Sequence, residues 1–183
     1  GINMTASHNP AEYQGFKFSV YNGAGAPPEA TKVIEANIRK LQKSNWRPKS
    51  VTPPELLKVK TFDPKPAFFR QLKKLVNFEA IRSAGLKVVV ELMYGAGRGY
   101  LDTLLTEEAG ATIYPLHGYR NPGFGGHHPE PNAEGMAEAM AVLKKEKATL
   151  ALGLDGDADR FGIIDKNGTW LSPNQILALT LYH

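Results

Sequence analysis

Residues 86–92, Leu-Lys-Val-Val-Val-Glu-Leu, constrain the fold of this chain more than any other segment. They form a nearly continuous apolar run of the length of a single strand. Such a run belongs to a sheet covered on both faces, since a half-exposed strand would alternate polar and apolar positions. The segments after it keep alternating. Tyr100, Leu101, Leu104 and Leu105 suggest a helix ending before Gly110, and residues 111–115 a strand. Asn132 caps a helix carrying Met136, Met140 and Leu143, and residues 149–154 form another buried strand. Strand, helix, strand, helix, strand predicts an α/β fold: a three-layer α/β/α domain with a mixed, partly parallel sheet. Residues 161–164 and 169–171 flank Asp165-Lys166-Asn167-Gly168, a hairpin turn.

Upstream, Phe68, Phe69, Leu72, Leu75 and Val76 mark a helix, and Gly85 closes a short one after it. Residues 15–20 alternate Phe16, Phe18 and Val20 with Lys17 and Ser19, the pattern of a half-buried strand. Pro27-Pro28-Glu29 opens a helix with Ala30, Ile34, Ile38 and Leu41 on one face. Between these parts, residues 44–57 hold Pro48, Pro53 and Pro54 with no clear period and read as a linker. The main domain is therefore expected to follow part of a second α/β domain. Gly1 to Met4 run into a motif with no structure ahead of it, and residues 176–181 read as a helix stopped in progress. A fragment of a longer protein is expected.

The 183 residues, 42% hydrophobic, suffice for a real core. Absence of cysteine excludes disulfides, thiolate metal sites and thiol nucleophiles, and is compatible with the cytoplasm. The longest apolar stretch, Val88-Val89-Val90, breaks at Glu91, far short of a membrane span, so no membrane partner is expected. Much of the net charge of +4 comes from Arg39, Lys40, Lys43, Arg47, Lys49, Lys58 and Lys60. These are spread over a helix end and a linker rather than gathered in one stripe. They read as solvated surface, with no nucleic-acid partner.

Asp155, Asp157 and Asp159 begin where the 149–154 strand ends, the position at which sites gather in such sheets. In an extended loop, alternate residues point the same way, so the three carboxylates converge. Like charges held together need a cation, and an all-oxygen set suits Mg²⁺. A calcium EF-hand is excluded, because Arg160 stands where that loop requires Gly and Lys166 where it requires Glu. Thr5-Ala6-Ser7-His8-Asn9-Pro10 supplies a hydroxyl, an imidazole and an amide before a stiffening proline. Alone it is equally an Asx or Ser turn. Gly95-Ala96-Gly97-Arg98-Gly99-Tyr100 has Tyr where a dinucleotide loop needs its last glycine, and reads as a tight structural turn. His117, His127 and His128 sit in or beside a Gly-rich loop and are weak metal-ligand candidates.

Taken with Tyr13-Gln14-Gly15-Phe16-Lys17, the serine segment resembles the phosphoserine loop of the α-D-phosphohexomutases, and residues 155–160 resemble that family's metal loop. Residues 88–97 and Pro129-Glu130-Pro131-Asn132 look like second-domain segments of its phosphoglucomutase/phosphomannomutase branch, and Pro-Glu-Pro argues against the phosphoglucosamine mutases. The resemblance implies an isomerase that interconverts hexose 1-phosphate and 6-phosphate. Ser7 would be phosphorylated, and one phosphate oxygen would join Asp155, Asp157 and Asp159 around Mg²⁺. His8 and Arg160 would act near the phosphate, and Lys17 in proton transfer or phosphate contact. A hexose 1,6-bisphosphate would be the intermediate and activator. The implied domains are 1–60 (late first domain), 61–172 (second domain) and 173–183 (start of a third). Such a fragment would be inactive alone and could self-associate through an open sheet edge. An aspartyl-phosphate type of Mg²⁺-dependent phosphatase and a nucleic-acid-binding module remain as alternatives.

Overall fold

The computed structural model describes residues 1–48 and 59–182. Contacts divide these into two units, one of residues 1–4 and the described part of 15–64, the other of 5–14 and 65–182.

In the first unit, β1 (Ile2–Met4) pairs antiparallel with β2 (Phe16–Phe18), Ile2 opposite Phe18 and Met4 opposite Phe16. The first strand was not expected from the sequence. The expectation of a half-buried strand needs correcting as well: Phe16 and Phe18 are 51% and 36% exposed. A ribbon of two strands of three residues each has too little surface to cover its own aromatic face. Helix α1 (Pro28–Lys43) starts where the prolines place it, with Pro at its first turn and Glu29 near its positive end. The expected linker is described only for residues 44–48, which hold no helix or strand; the rest lies outside the described residues.

The second unit is built on a five-stranded sheet. Its strands are β3 (Lys87–Glu91), β4 (Thr112–Leu116), β5 (Leu150–Leu154), β6 (Phe161–Asp165) and β7 (Trp170–Leu171). Their order is β4-β3-β5-β6-β7. The first three are parallel, while β6 pairs antiparallel with β5 and β7 with β6. The sheet is mixed, as the alternation of elements predicts.

Successive residues of β3 pack into opposite layers, and this is why its sequence is apolar throughout. Val88, Val90 and Leu92 join Leu105 of α4 (Leu101–Glu107) and Ala111 on one face. Val89 and Met93 join Met136, Ala139 and Leu143 on the other, beside α5 (Ala137–Glu146). Val88, Val89, Val90 and Leu92 are at most 1% exposed, and each such side chain contributes about 1.5–3 kcal/mol of burial free energy.

Ahead of the sheet lie α2 (Lys65–Leu75) and α3 (Phe78–Ser83), where Phe68 and Phe69 meet Tyr100 edge-on. Asn77 caps α3 by accepting from the Ala80 N–H at 3.0 Å. The chain ends in α6 (Pro173–Tyr182). One cap differs from expectation. Asn132 Oδ1 accepts from Gly135 N–H at 2.8 Å and closes the turn before α5, leaving Met136 at the helix's own cap position. No helix among the described residues is long and apolar enough to cross a membrane.

Candidate active site

The acidic loop is the short connection from β5 to β6, with Leu154 opposite Phe161 in the ladder at its base. It is a turn, not the extended segment that the alternation suggested. The Ala158 N–H donates to the Asp155 carbonyl at 3.1 Å, and Ala158 has a positive φ of 64°. Convergence results all the same: one carboxylate oxygen from each of Asp155, Asp157 and Asp159 lies within 4.8 Å of the others. Asp155 is fully buried, and its Oδ1 accepts the Arg160 N–H at 3.0 Å. Its Oδ2 is buried with no hydrogen-bond partner. Burial pushes the Asp155 carboxyl above the usual carboxylate range, the charges of Asp157 and Asp159 push the same way, and the Arg160 N–H opposes them.

An orphaned buried carboxylate oxygen among three converging carboxylates needs a cation or a proton to offset it. The donors are all oxygen, which fits Mg²⁺. Among the described residues this is the one group of acidic or histidine side chains able to surround a metal ion.

The serine loop belongs to the same unit and packs directly on the acidic loop. Thr5 Oγ1 donates to Asp157 Oδ2 at 2.9 Å and accepts the Ser7 N–H at 2.8 Å. Ser7 has φ 57°, an uncommon conformation for a residue with a side chain. His8 Nδ1 lies 3.4 Å from Ser7 Oγ, and Asn9 ties the turn by donating from its backbone and side chain to the Ala6 carbonyl.

Two glycines permit this packing. A Cβ on Gly156 would lie 2.8 Å from the Ser7 carbonyl oxygen, and one on Gly95 would lie 2.6 Å from the Gly156 oxygen. The 95–97 turn therefore buttresses the acidic loop, with the Ala96 N–H donating to Gly156 O at 2.9 Å. The reading of this segment as a tight structural turn agrees with the structure.

Arg160 Nη1 pairs with Glu130 Oε1 at 3.3 Å, and Glu130 in turn accepts from Asn132. Both flank a hollow of about 440 Å³ that Asp159, Phe161 and Trp170 also line. Lys17 lies in the other unit, at the centre of β2 opposite Asn3. Ser7, His8, Arg160 and the three aspartates are thus brought together in one unit, and Lys17 belongs to the other. Thr5 was named in the motif but given no role by the sequence reading.

His117, only a weak metal-ligand candidate from the sequence, pairs with a buried carboxylate. Its Nδ1 is 2.8 Å from both carboxylate oxygens of Glu91, which is fully buried on β3. The ring also stacks on Tyr94, with centroids 4.4 Å apart. Burial, then the hydrogen bond with Tyr119, push the Tyr94 hydroxyl up to about 12. His127 and His128 line a second hollow of about 600 Å³ with Tyr94 and His117.

Sequence profiles of known families match this arrangement in order. The profile for phosphoglucomutase/phosphomannomutase alpha/beta/alpha domain I matches residues 1–45, and that for alpha/beta/alpha domain II matches residues 66–168. The chain belongs to the phosphoglucomutase/phosphomannomutase family. It is 33% identical over 181 residues to a Methanothermobacter thermautotrophicus protein named "Probable phosphoglucosamine mutase", covering 98% of this chain and 38% of that one. It is 30% identical over 180 residues to the phosphomannomutase/phosphoglucomutase of Pseudomonas aeruginosa, covering 98% of this chain and 36% of that one. Relatives named for both chemistries thus match at similar identity. A crystal structure of a phosphomannomutase-type protein from Thermus thermophilus superposes with a TM-score of 0.81 at 32% identity, covering 98% and 39% of the two chains. The chain spans a little over a third of the length of these relatives.

Proposed function

We propose that this chain carries the phosphoryl-transfer centre of a phosphohexomutase. In that centre Ser7 is the phosphate carrier, and Asp155, Asp157 and Asp159, together with phosphorylated Ser7, would hold Mg²⁺. The observation that carries the reading is the Thr5 bridge, which ties the serine loop to the acidic loop across 152 positions of sequence. A bound Mg²⁺ would supply charge stabilisation for the transferring phosphoryl group.

In the proposed half-reaction, the bond from phosphorus to Ser7 Oγ breaks as one forms to a sugar hydroxyl oxygen. The hydroxyl proton passes to a base, for which Lys17 is the candidate; Ser7 Oγ takes a proton from solvent once the phosphoryl group has left, and the base releases its own to solvent. His8, adjacent to Ser7 Oγ, orients the seryl oxygen, and Arg160 meets phosphate oxygens. The bisphosphorylated hexose then turns over, and its other phosphate returns to Ser7. Residues 1–60 would be the late part of a first domain, 61–172 a second domain and 173–183 the beginning of a third. The parent protein would interconvert hexose 1-phosphate and 6-phosphate.

Incubation with ³²P-labelled glucose 1,6-bisphosphate and Mg²⁺ tests the carrier. Acid-stable label should appear on Ser7 and be absent in Ser7→Ala. Acid-labile label on Asp155 or Asp157 would instead indicate an aspartyl-phosphate phosphatase and refute the assignment.

A further inference from the structure

We infer that the Thr5 hydroxyl is a positioning residue that couples occupancy of the acidic loop to the placement of the Ser7 backbone. This inference rests on the proposed Mg²⁺ reading of Asp155, Asp157 and Asp159.

A threonine two residues ahead of a serine needs only to accept the Ser7 N–H in order to close a local turn. Thr5 does this at 2.8 Å. Its own proton is then free to go elsewhere, and it goes to Asp157 Oδ2 at 2.9 Å. The donated bond serves no turn, since its acceptor lies in the connection between β5 and β6. One oxygen atom therefore stands between a carboxylate of the acidic cluster and the amide of the proposed phosphate carrier.

The polarity of this relay matters. Donation to Asp157 fixes the rotor of the hydroxyl, so the Thr5 lone pairs face the Ser7 amide. Chained hydrogen bonds polarise one another. The Ser7 amide is thus held best when the Asp157 carboxylate is fixed in orientation, as a bound cation would fix it. The held amide belongs to a residue at φ 57°, a conformation that persists only where surrounding contacts impose it. Backbone packing contributes a second contact, because the Ser7 carbonyl rests where a side chain on Gly156 would project. Amide and carbonyl of the same residue are each referred to the acidic loop, one through Thr5 and one directly.

Orienting partners of metal ligands commonly influence affinity about 10–100-fold. Loss of this one should therefore weaken Mg²⁺ binding by about tenfold, and it should also release Ser7.

The test uses the full 183-residue chain and its Thr5→Val, Thr5→Ala and Thr5→Ser variants, with folding checked by circular dichroism. Calorimetric Mg²⁺ titration gives affinity, and hydrogen exchange of the Ser7 amide with and without Mg²⁺ gives the coupling. Mg²⁺ should slow Ser7 exchange in the wild type and in Thr5→Ser, which keeps the hydroxyl. It should not do so in Thr5→Val or Thr5→Ala, where affinity also falls about tenfold. Equal Mg²⁺ affinity and equal protection in wild type and Thr5→Val would overturn the coupling and leave the metal reading standing. So would failure of Thr5→Ser to restore protection. If the wild type binds no Mg²⁺, the metal reading falls and the coupling with it. Should Thr5→Val not fold, Thr5→Ala decides on the same criteria.

Discussion

Glu91 is a carboxylate on β3 with no exposure to solvent, and it is satisfied by the His117 ring and the Met93 N–H. His117→Ala would leave it buried with the backbone contact alone. Leaving a buried polar group without one hydrogen-bond partner typically costs about 1–3 kcal/mol, so the unfolding free energy from urea denaturation should fall by that amount. Asp155 makes a different prediction. Its pKa is raised in the folded chain, so the folded state holds the proton more tightly than the unfolded one. The stability this confers is full below the unfolded carboxylate pKa and is lost as pH rises through the raised value. A cation competes with that proton. The gain in melting temperature on adding Mg²⁺ should therefore be absent in acid and grow as pH rises through the raised pKa, as paired thermal melts would read. A gain independent of pH would count against Asp155 as a ligand. The aspartate spacing was legible in the sequence because it lies within one loop. The pairings of Thr5 and His117 were not, since each depends on an acceptor on a distant element.

At the level of elements, loop-to-loop packing is the feature most open to test. Gly156→Ala would place a methyl group 2.8 Å from the Ser7 carbonyl oxygen and beside Pro129. The contact is to backbone, so relief requires displacement of the serine loop. We expect a loss of about 1–3 kcal/mol in chemical denaturation, with a marked fall in phosphate incorporation at Ser7. Incorporation at the wild-type rate would show that the contact does not position Ser7. The five strands of the second unit were legible because burial on two faces, or alternation around a turn, writes itself into neighbouring residues. The Asp165 turn belongs with them: its carboxylate accepts from Asn167 N–H and Thr169 N–H, which holds its pKa below the usual value. Strand β1 was not legible. Ile-Asn-Met is too short to show a period, and its pairing with β2 across the serine loop is a tertiary fact. Asn132 misled for a related reason, since a capping side chain serves an isolated turn as well as a helix.

At the scale of the whole molecule, the chain matches curated relatives over only 38% and 36% of their lengths. The 183 residues alone should therefore give no glucose-1-phosphate or mannose-1-phosphate turnover in coupled assays, even where Ser7 accepts label. Sustained turnover by the purified chain, free of contaminating mutase, would defeat the expectation that this part of the protein is inactive alone. The sheet carries one further consequence. Its strands run parallel from β4 to β5 and then reverse, so the acidic loop is a hairpin connection whose two ends are already joined by strand pairing. Such a loop loses little chain entropy when it closes on an ion. Its affinity for a cation is then governed by the release of water from ion and carboxylates. Ion capture by this site should leave a calorimetric record dominated by hydration, with a heat-capacity change far smaller than that of a segment that folds around its ligand.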